Sequence, residues 1–167
     1  VIVAAANCSL YQFPGAGTAY SFRVKSYRLH HLADLILDKD VIKTDGILQQ
    51  GIMVNLGNVE LNQITNETAG LKFLFDFKPA ANRESYDKTN LLMIEGIKKD
   101  NFMYRFGFFA TNETTFGLRS IAYRGKMKRS IDGVNYDEFD FDKRKDIVIV
   151  FRIVEKSENG DITILWK

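Results

Sequence analysis

The chain has 167 residues, a formal charge of +2, 46% hydrophobic and 26% charged residues, one cysteine and two histidines. That length supports one globular core without metal or disulfide staples, and the apolar fraction excludes a disordered chain. A near-neutral charge balance argues against nucleic acid, the lone Cys8 forbids an internal disulfide, and no apolar run approaches the ~20 residues that would cross a bilayer.

In chain order, residues 1–18 read as irregular, with Pro14-Gly15-Ala16-Gly17 as a breaker cluster. The apolar Val1 to Ala6 start lacks a basic leader, so Val1 reads as a boundary inside a longer polypeptide. A short strand is predicted from Ala19 to Lys25. Ser26 then offers an N-cap for a helix from Tyr27 to Leu37, where Leu29, Leu32, Ala33, Ile36 and Leu37 repeat at three and four residues. Ile47 to Asn55 and Val59 to Thr65 read as strands broken by Gly51 and Gly57.

From Leu71 to Lys78 the residues Leu71, Phe73, Phe75 and Phe77 alternate with Lys72, Asp76 and Lys78, the two-residue period of a strand. Pro79 ends it, and Ala80 to Thr89 reads as a polar loop. Leu91 to Ile97 is then predicted to pair with Phe102 to Ala110 across Lys98 to Asn101. Within the latter, Phe102, Tyr104, Phe106, Phe108 and Ala110 share one face and Met103, Arg105, Gly107 and Phe109 the other. Thr115 to Tyr123 follows. Lys128 to Ile131 and Val134 to Phe139 flank Asp132-Gly133, a strong hairpin signal. Asp146 to Glu155 is apolar on both faces, as a central strand should be, and Asn159-Gly160 turns into a last strand ending at Trp166.

These elements predict a mainly β fold: an antiparallel β-sandwich or barrel with one short helix near the N-terminus packed on it. The organisation expected is a single domain over 1–167, with 1–45 as an irregular α/β appendage and 46–167 as the β core.

Catalytic and metal signatures are sparse. His30 and His31 are adjacent, about 100° apart on a helix, so they cannot share the i, i+4 geometry of a zinc site. No Gly-x-Ser-x-Gly elbow or phosphate-binding glycine loop occurs. Glu138, Asp140 and Asp142 would line one face of a strand; glycosidases use two such carboxylates about 5–10 Å apart, and the plainer reading is a solvated face opposite Phe139 and Phe141. The basic run Arg124, Lys126, Lys128 and Arg129 reads as a solvated loop, as a cross-strand complement to those acids, or as a seat for an anionic ligand. Asn7, Asn66 and Asn112 open three N-glycosylation sequons.

With thirteen Phe, seven Tyr and one Trp, the chain holds more aromatics than a minimal core needs. Arg119, Tyr123, Arg124, Asn135 and Tyr136 cluster around the basic loop and its hairpin. This is where a glycan site is expected, since sugars stack on aromatic rings while Arg and Asn bind hydroxyls. Trp166 shares the Ile162 and Ile164 face and reads as core.

The tract Leu71-Lys-Phe-Leu-Phe-Asp-Phe-Lys-Pro79, followed by Asn90-Leu-Leu-Met-Ile94, resembles the paired strands of concanavalin-type sandwiches. With its sequons, its Asn-, Ile-, Lys- and Asp-rich composition and no catalytic set, the chain resembles the head domain of a rotavirus outer-capsid spike protein from a divergent group. The resemblance implies attachment to cell-surface glycans at the virion outer surface, no catalysis, no cofactor, and proteolytic separation from the remainder of the parent spike polypeptide. It transfers no site residue. The alternatives left open are a glycoside hydrolase or lyase using the clustered carboxylates, and a protein-binding adhesion or structural module.

Overall fold

The structure is a computed structural model that describes residues 1–4, 17–28, 30–44, 49–121, 128–131, 134–137 and 146–167, with backbone alone for residues 31, 128–131 and 134–137. In chain order the elements are β1 (Ile2–Val3), β2 (Ala19–Ser21), β3 (Ser26–Tyr27), β4 (Leu35–Asp38), β5 (Val41–Lys43) and β6 (Gln50–Gly57). Helices α1 (Leu71–Asp76) and α2 (Arg83–Glu95) come next. The chain continues with β7 (Ile97–Lys99), β8 (Phe102–Arg105), β9 (Gly107–Phe109), β10 (Thr114–Ile121), β11 (Lys128–Ile131), β12 (Val134–Asp137), β13 (Ile147–Lys156) and β14 (Ile162–Trp166).

The strands form a seven-stranded sheet in the order β1-β14-β13-β10-β6-β8-β7 and a five-stranded sheet in the order β3-β2-β4-β5-β9, with β11 and β12 as a separate hairpin. Every pairing is antiparallel. The fold is the mainly β sandwich that the strand list predicts.

The large sheet is the middle layer, because its central strands are apolar on both faces. Met53, Phe116, Leu118, Ile149, Phe151 and Ile153 face Tyr20, Leu35, Leu37 and Ile42 of the small sheet and Phe22 of the turn after β2. Their alternates Ile52, Val54, Ile121 and Val150 face Leu71, Leu74, Tyr86 and Met93 of the two helices, and Ile64 of the segment before α1. Phe116 and Phe151 are paired in register and stacked 5.3 Å apart, both fully buried. Trp166 packs edge-on against Phe22 at 5.1 Å.

Helix placement departs from expectation in three places. Tyr27 to Leu37 is not a helix but the end of β3, a 3₁₀ turn (His30–Leu32) and β4. Leu35 and Leu37 enter the sandwich core while Ile36 packs with Ala19 and Ala33 behind the sheet, so pairing with β2 and β5 overrides the helical stripe. Leu71 to Asp76 is helical: Leu71 and Leu74 are buried, Phe73 and Phe77 meet at 5.8 Å, and Lys72 pairs with Asp76 at 3.1 Å. The seven-residue run from Leu71 to Phe77, with Phe at 73, 75 and 77, also places Phe73 and Phe77 four apart, so it satisfies both periods.

The predicted loop 80–89 and strand 91–97 together hold α2. Asn82 caps it in a reciprocal capping box with Ser85, Arg83 pairs with Asp87 at 2.8 Å, and Gly96 (φ 96°) stops it. Only Tyr86 and Met93 are buried on it, which is too thin a stripe to read as helical periodicity. The tracts that resemble paired strands therefore lie in helices. Val59 to Thr65, also expected as a strand, contains a 3₁₀ turn (Leu61–Gln63).

The segment 1–45, expected as an irregular α/β appendage, holds β1 of the large sheet and four of the five strands of the small one among its described residues. Phe102 to Ala110 divides at Phe106: β8 belongs to the large sheet and β9 to the small one. Asp100 and Asn101, both at positive φ, make the tight turn between β7 and β8.

Candidate functional site

Of the five residues expected to bind glycan, Arg119 is part of the fold instead. Its guanidinium is buried under α1, where Nη1 donates to the carbonyls of Leu74 (2.6 Å), Phe75 (3.3 Å) and Phe77 (2.7 Å). Nε and Nη2 grip Asp146 at 3.2 and 2.8 Å. A short helix leaves its last carbonyls without intrahelical partners, and this arginine satisfies them. Arg119→Met is therefore expected to cost about 2–3 kcal/mol in chemical denaturation, with no loss of ligand affinity in the variant that still folds.

Tyr123 and Arg124 lie outside the described residues, as do Asn7, Glu138, Asp140 and Asp142. Asn135 and Tyr136 sit on β12, opposite Ser130 and Arg129 of β11. Asn66 and Asn112 occupy exposed turns. His30 Nε2 lies 2.9 Å from Thr18 Oγ1, and burial lowers the His30 pKa against an opposing pull from Asp38. Among the described residues no cluster of His, Cys, Asp and Glu could hold a metal ion, and no helix is long and apolar enough to cross a membrane.

A polar and aromatic constellation lies at the tip of the β4–β5 hairpin. β9 is the edge strand of the small sheet and pairs Phe109 with Val41. The pleat turns Phe108 inward, 5.8 Å from Phe116, and so turns Phe109 outward, where it is 72% exposed. Asp38, Lys39, Asp40, Val41 and Lys43 complete a shallow groove of about 280 Å³ around that ring.

The rim is charged and held in place. Lys43 bridges to Asp38, while Lys156 reaches across from β13 to Asp40 at 2.7 Å. The Ala110 amide donates to the Asp40 carbonyl at 2.7 Å, tying the turn to the end of β9. The hydrogen bond from Lys43 holds the Asp38 carboxyl below the ordinary carboxylate range, more than offsetting the opposing effect of partial burial. Carboxylates accept and ammonium groups donate, so this rim can meet hydroxyls of either role beside an apolar face.

Sequence reasoning passed over the hairpin, because a helix was expected through Leu37. One signal was present: Phe109 is the lone aromatic on the Met103, Arg105, Gly107, Phe109 face. No family model, no curated protein and no solved structure matches the chain.

Proposed function

We propose that this chain is a non-catalytic glycan-binding domain, and that it binds cell-surface glycans on the Phe109 groove as an attachment domain at a virion surface. The observation that carries this reading is the exposed Phe109 ring set among two carboxylates and two ammonium groups. A sugar presents an apolar C–H face and a rim of hydroxyls, which suits an aromatic floor with charged hydrogen-bonding neighbours. The site is open and shallow, so affinity per site is low and several copies on one particle supply avidity. Binding of this kind needs no cofactor.

Phe109→Ala tests the reading. On a glycan bound by the parent chain, the dissociation constant rises about 10-fold or more, equivalent to about 1.4 kcal/mol. Stability changes by less than about 0.5 kcal/mol, because the ring is exposed. The pH response follows from Asp38. Its lowered pKa keeps it ionised below the usual carboxylate range, so the Asp38 contribution to affinity stays level from about pH 7.5 to about pH 5 and is lost as pH drops through the lowered value. Titrations of a binding glycan at stepped pH values check this.

The alternative of a protein-binding module has its own observation: Leu91, Leu92 and Ile94 are exposed on α2. Charge substitutions at Leu91 and Ile94 would abolish a protein contact there and leave glycan binding intact.

A further inference from the structure

A second groove, of about 240 Å³, lies between the turn before α1 and the start of β13; Asn66, Thr65, Leu71, Phe75, Val148 and Lys167 are among its walls. Asn66 heads the sequon Asn66-Glu67-Thr68 and is exposed. The turn around it is closed by its neighbours: Thr68 N donates to Thr65 O at 3.1 Å, and Thr65 N to Thr68 Oγ1 at 2.9 Å. The Asn66 amide itself makes no hydrogen bond to the described residues. In the same groove Phe75, on the outer side of α1, is 44% exposed, an aromatic face with apolar Leu71 and Val148 beside it.

We propose that Asn66 is an acceptor for an N-linked glycan and that the first sugar of that glycan lies against Phe75 in this groove. In the transfer, the Asn66 side-chain nitrogen forms a bond to the anomeric carbon of an oligosaccharide carried on a polyprenyl pyrophosphate. The bond from that carbon to the pyrophosphate oxygen breaks, the lipid pyrophosphate leaves with the electron pair, and one amide proton passes to the transferase. Once attached, the sugar covers the exposed ring with its C–H face, an arrangement that the sequon alone does not provide. Asn112 is also exposed, but it lines neither groove, and its neighbour Thr114 is buried with Oγ1 donating to the Asn112 carbonyl at 3.1 Å. It serves as an internal control. This proposal is independent of the Phe109 reading, and either can fail while the other stands.

The test is to express the chain behind a secretory leader in cultured eukaryotic cells, as the parent and as N66Q, N112Q, F75A, N7Q/N112Q and F75A/N7Q/N112Q. Occupancy is read by peptide mass mapping on total chain, so retention inside the cell does not obscure it. Expected is a glycan at Asn66 in the parent, in N112Q and in F75A, and none at that position in N66Q. Enzymatic removal of the glycan from N7Q/N112Q, in which Asn66 heads the one remaining sequon, lowers the melting temperature by about 2–4 °C, and the same removal from F75A/N7Q/N112Q by less than about 1 °C. An unoccupied Asn66, or equal losses with and without Phe75, overturns the proposal.

Discussion

Asp34→Ala is expected to lower the unfolding free energy by about 3–5 kcal/mol, a large part of the roughly 5–15 kcal/mol that such a domain has. Asp34 is fully buried and ion-paired with the Arg23 guanidinium, whose side chain is 4% exposed. Ser21 donates to its second oxygen at 2.8 Å, and Ser120 Oγ lies 2.8 Å from the first. Arg23 Nη2 in turn donates to Ser120 Oγ at 2.7 Å and Nη1 to Gln49 Oε1 at 3.1 Å. Ser21 belongs to the small sheet and Ser120 to the large one, so the cluster joins the two layers from inside. Removing the carboxylate strips the buried guanidinium of its Asp34 charge partner, and the neighbouring hydroxyl and amide oxygens cannot replace that charge.

The paired replacement Arg23→Met with Asp34→Leu removes both charges together and is expected to recover most of the loss, because the desolvation cost disappears with the attraction. Denaturant unfolding of the two single variants and the double variant gives the coupling. Additive losses in the double variant would mean that the two side chains act separately.

Gly51→Ala is expected to cost about 3 kcal/mol or more, at the upper end of overpacking effects. A Cβ at Gly51 would stand 1.8 Å from Thr44 Oγ1 and 2.3 Å from the Thr44 carbonyl oxygen. The hydroxyl could rotate, but the backbone oxygen cannot, and Thr44 is pinned by the hydrogen bond its amide donates to the Phe106 carbonyl at 2.9 Å. Chain must therefore move on one side or the other. Gly57→Ala is the matched comparison, since no atom lies within 4 Å of its Cβ position and only its φ of 80° is strained; about 1–2 kcal/mol is expected there. Thermal and denaturant unfolding of both variants decide this. Equal small losses would show that the chain near Thr44 yields freely.

The contrast between those glycines shows where the sequence was legible. Gly51 looked like a strand breaker, yet β6 runs through it from Gln50 to Gly57, because the missing side chain makes room for Thr44 crossing above. Long strands were readable where both faces are apolar or a turn is explicit: Ile147 to Lys156, the hairpin around residues 132–133, and the turn at Gly160 before β14. Helices were not. α1 is too short for its period to separate from a strand's, and α2 announces itself only through Asn82, Ser85 and Gly96 while burying two side chains.

The site was less readable still. Arg119 has the chemistry of a ligand residue, and only the position of α1 shows that its donors are already engaged. The Arg23–Asp34 cluster joins residues 11 and 86 positions apart, a distance no local pattern spans. At the groove beside Phe109, Lys156 meets Asp40 from 116 residues away.

The most direct measurement is a glycan array followed by NMR titration of the isotopically labelled chain with a glycan from the array. Shift changes centred on Phe109, Val41 and Lys39, and absent from the titration of Phe109→Ala, are the predicted result. A folded chain that binds no glycan, or one whose shifts move elsewhere and survive Phe109→Ala, would contradict it.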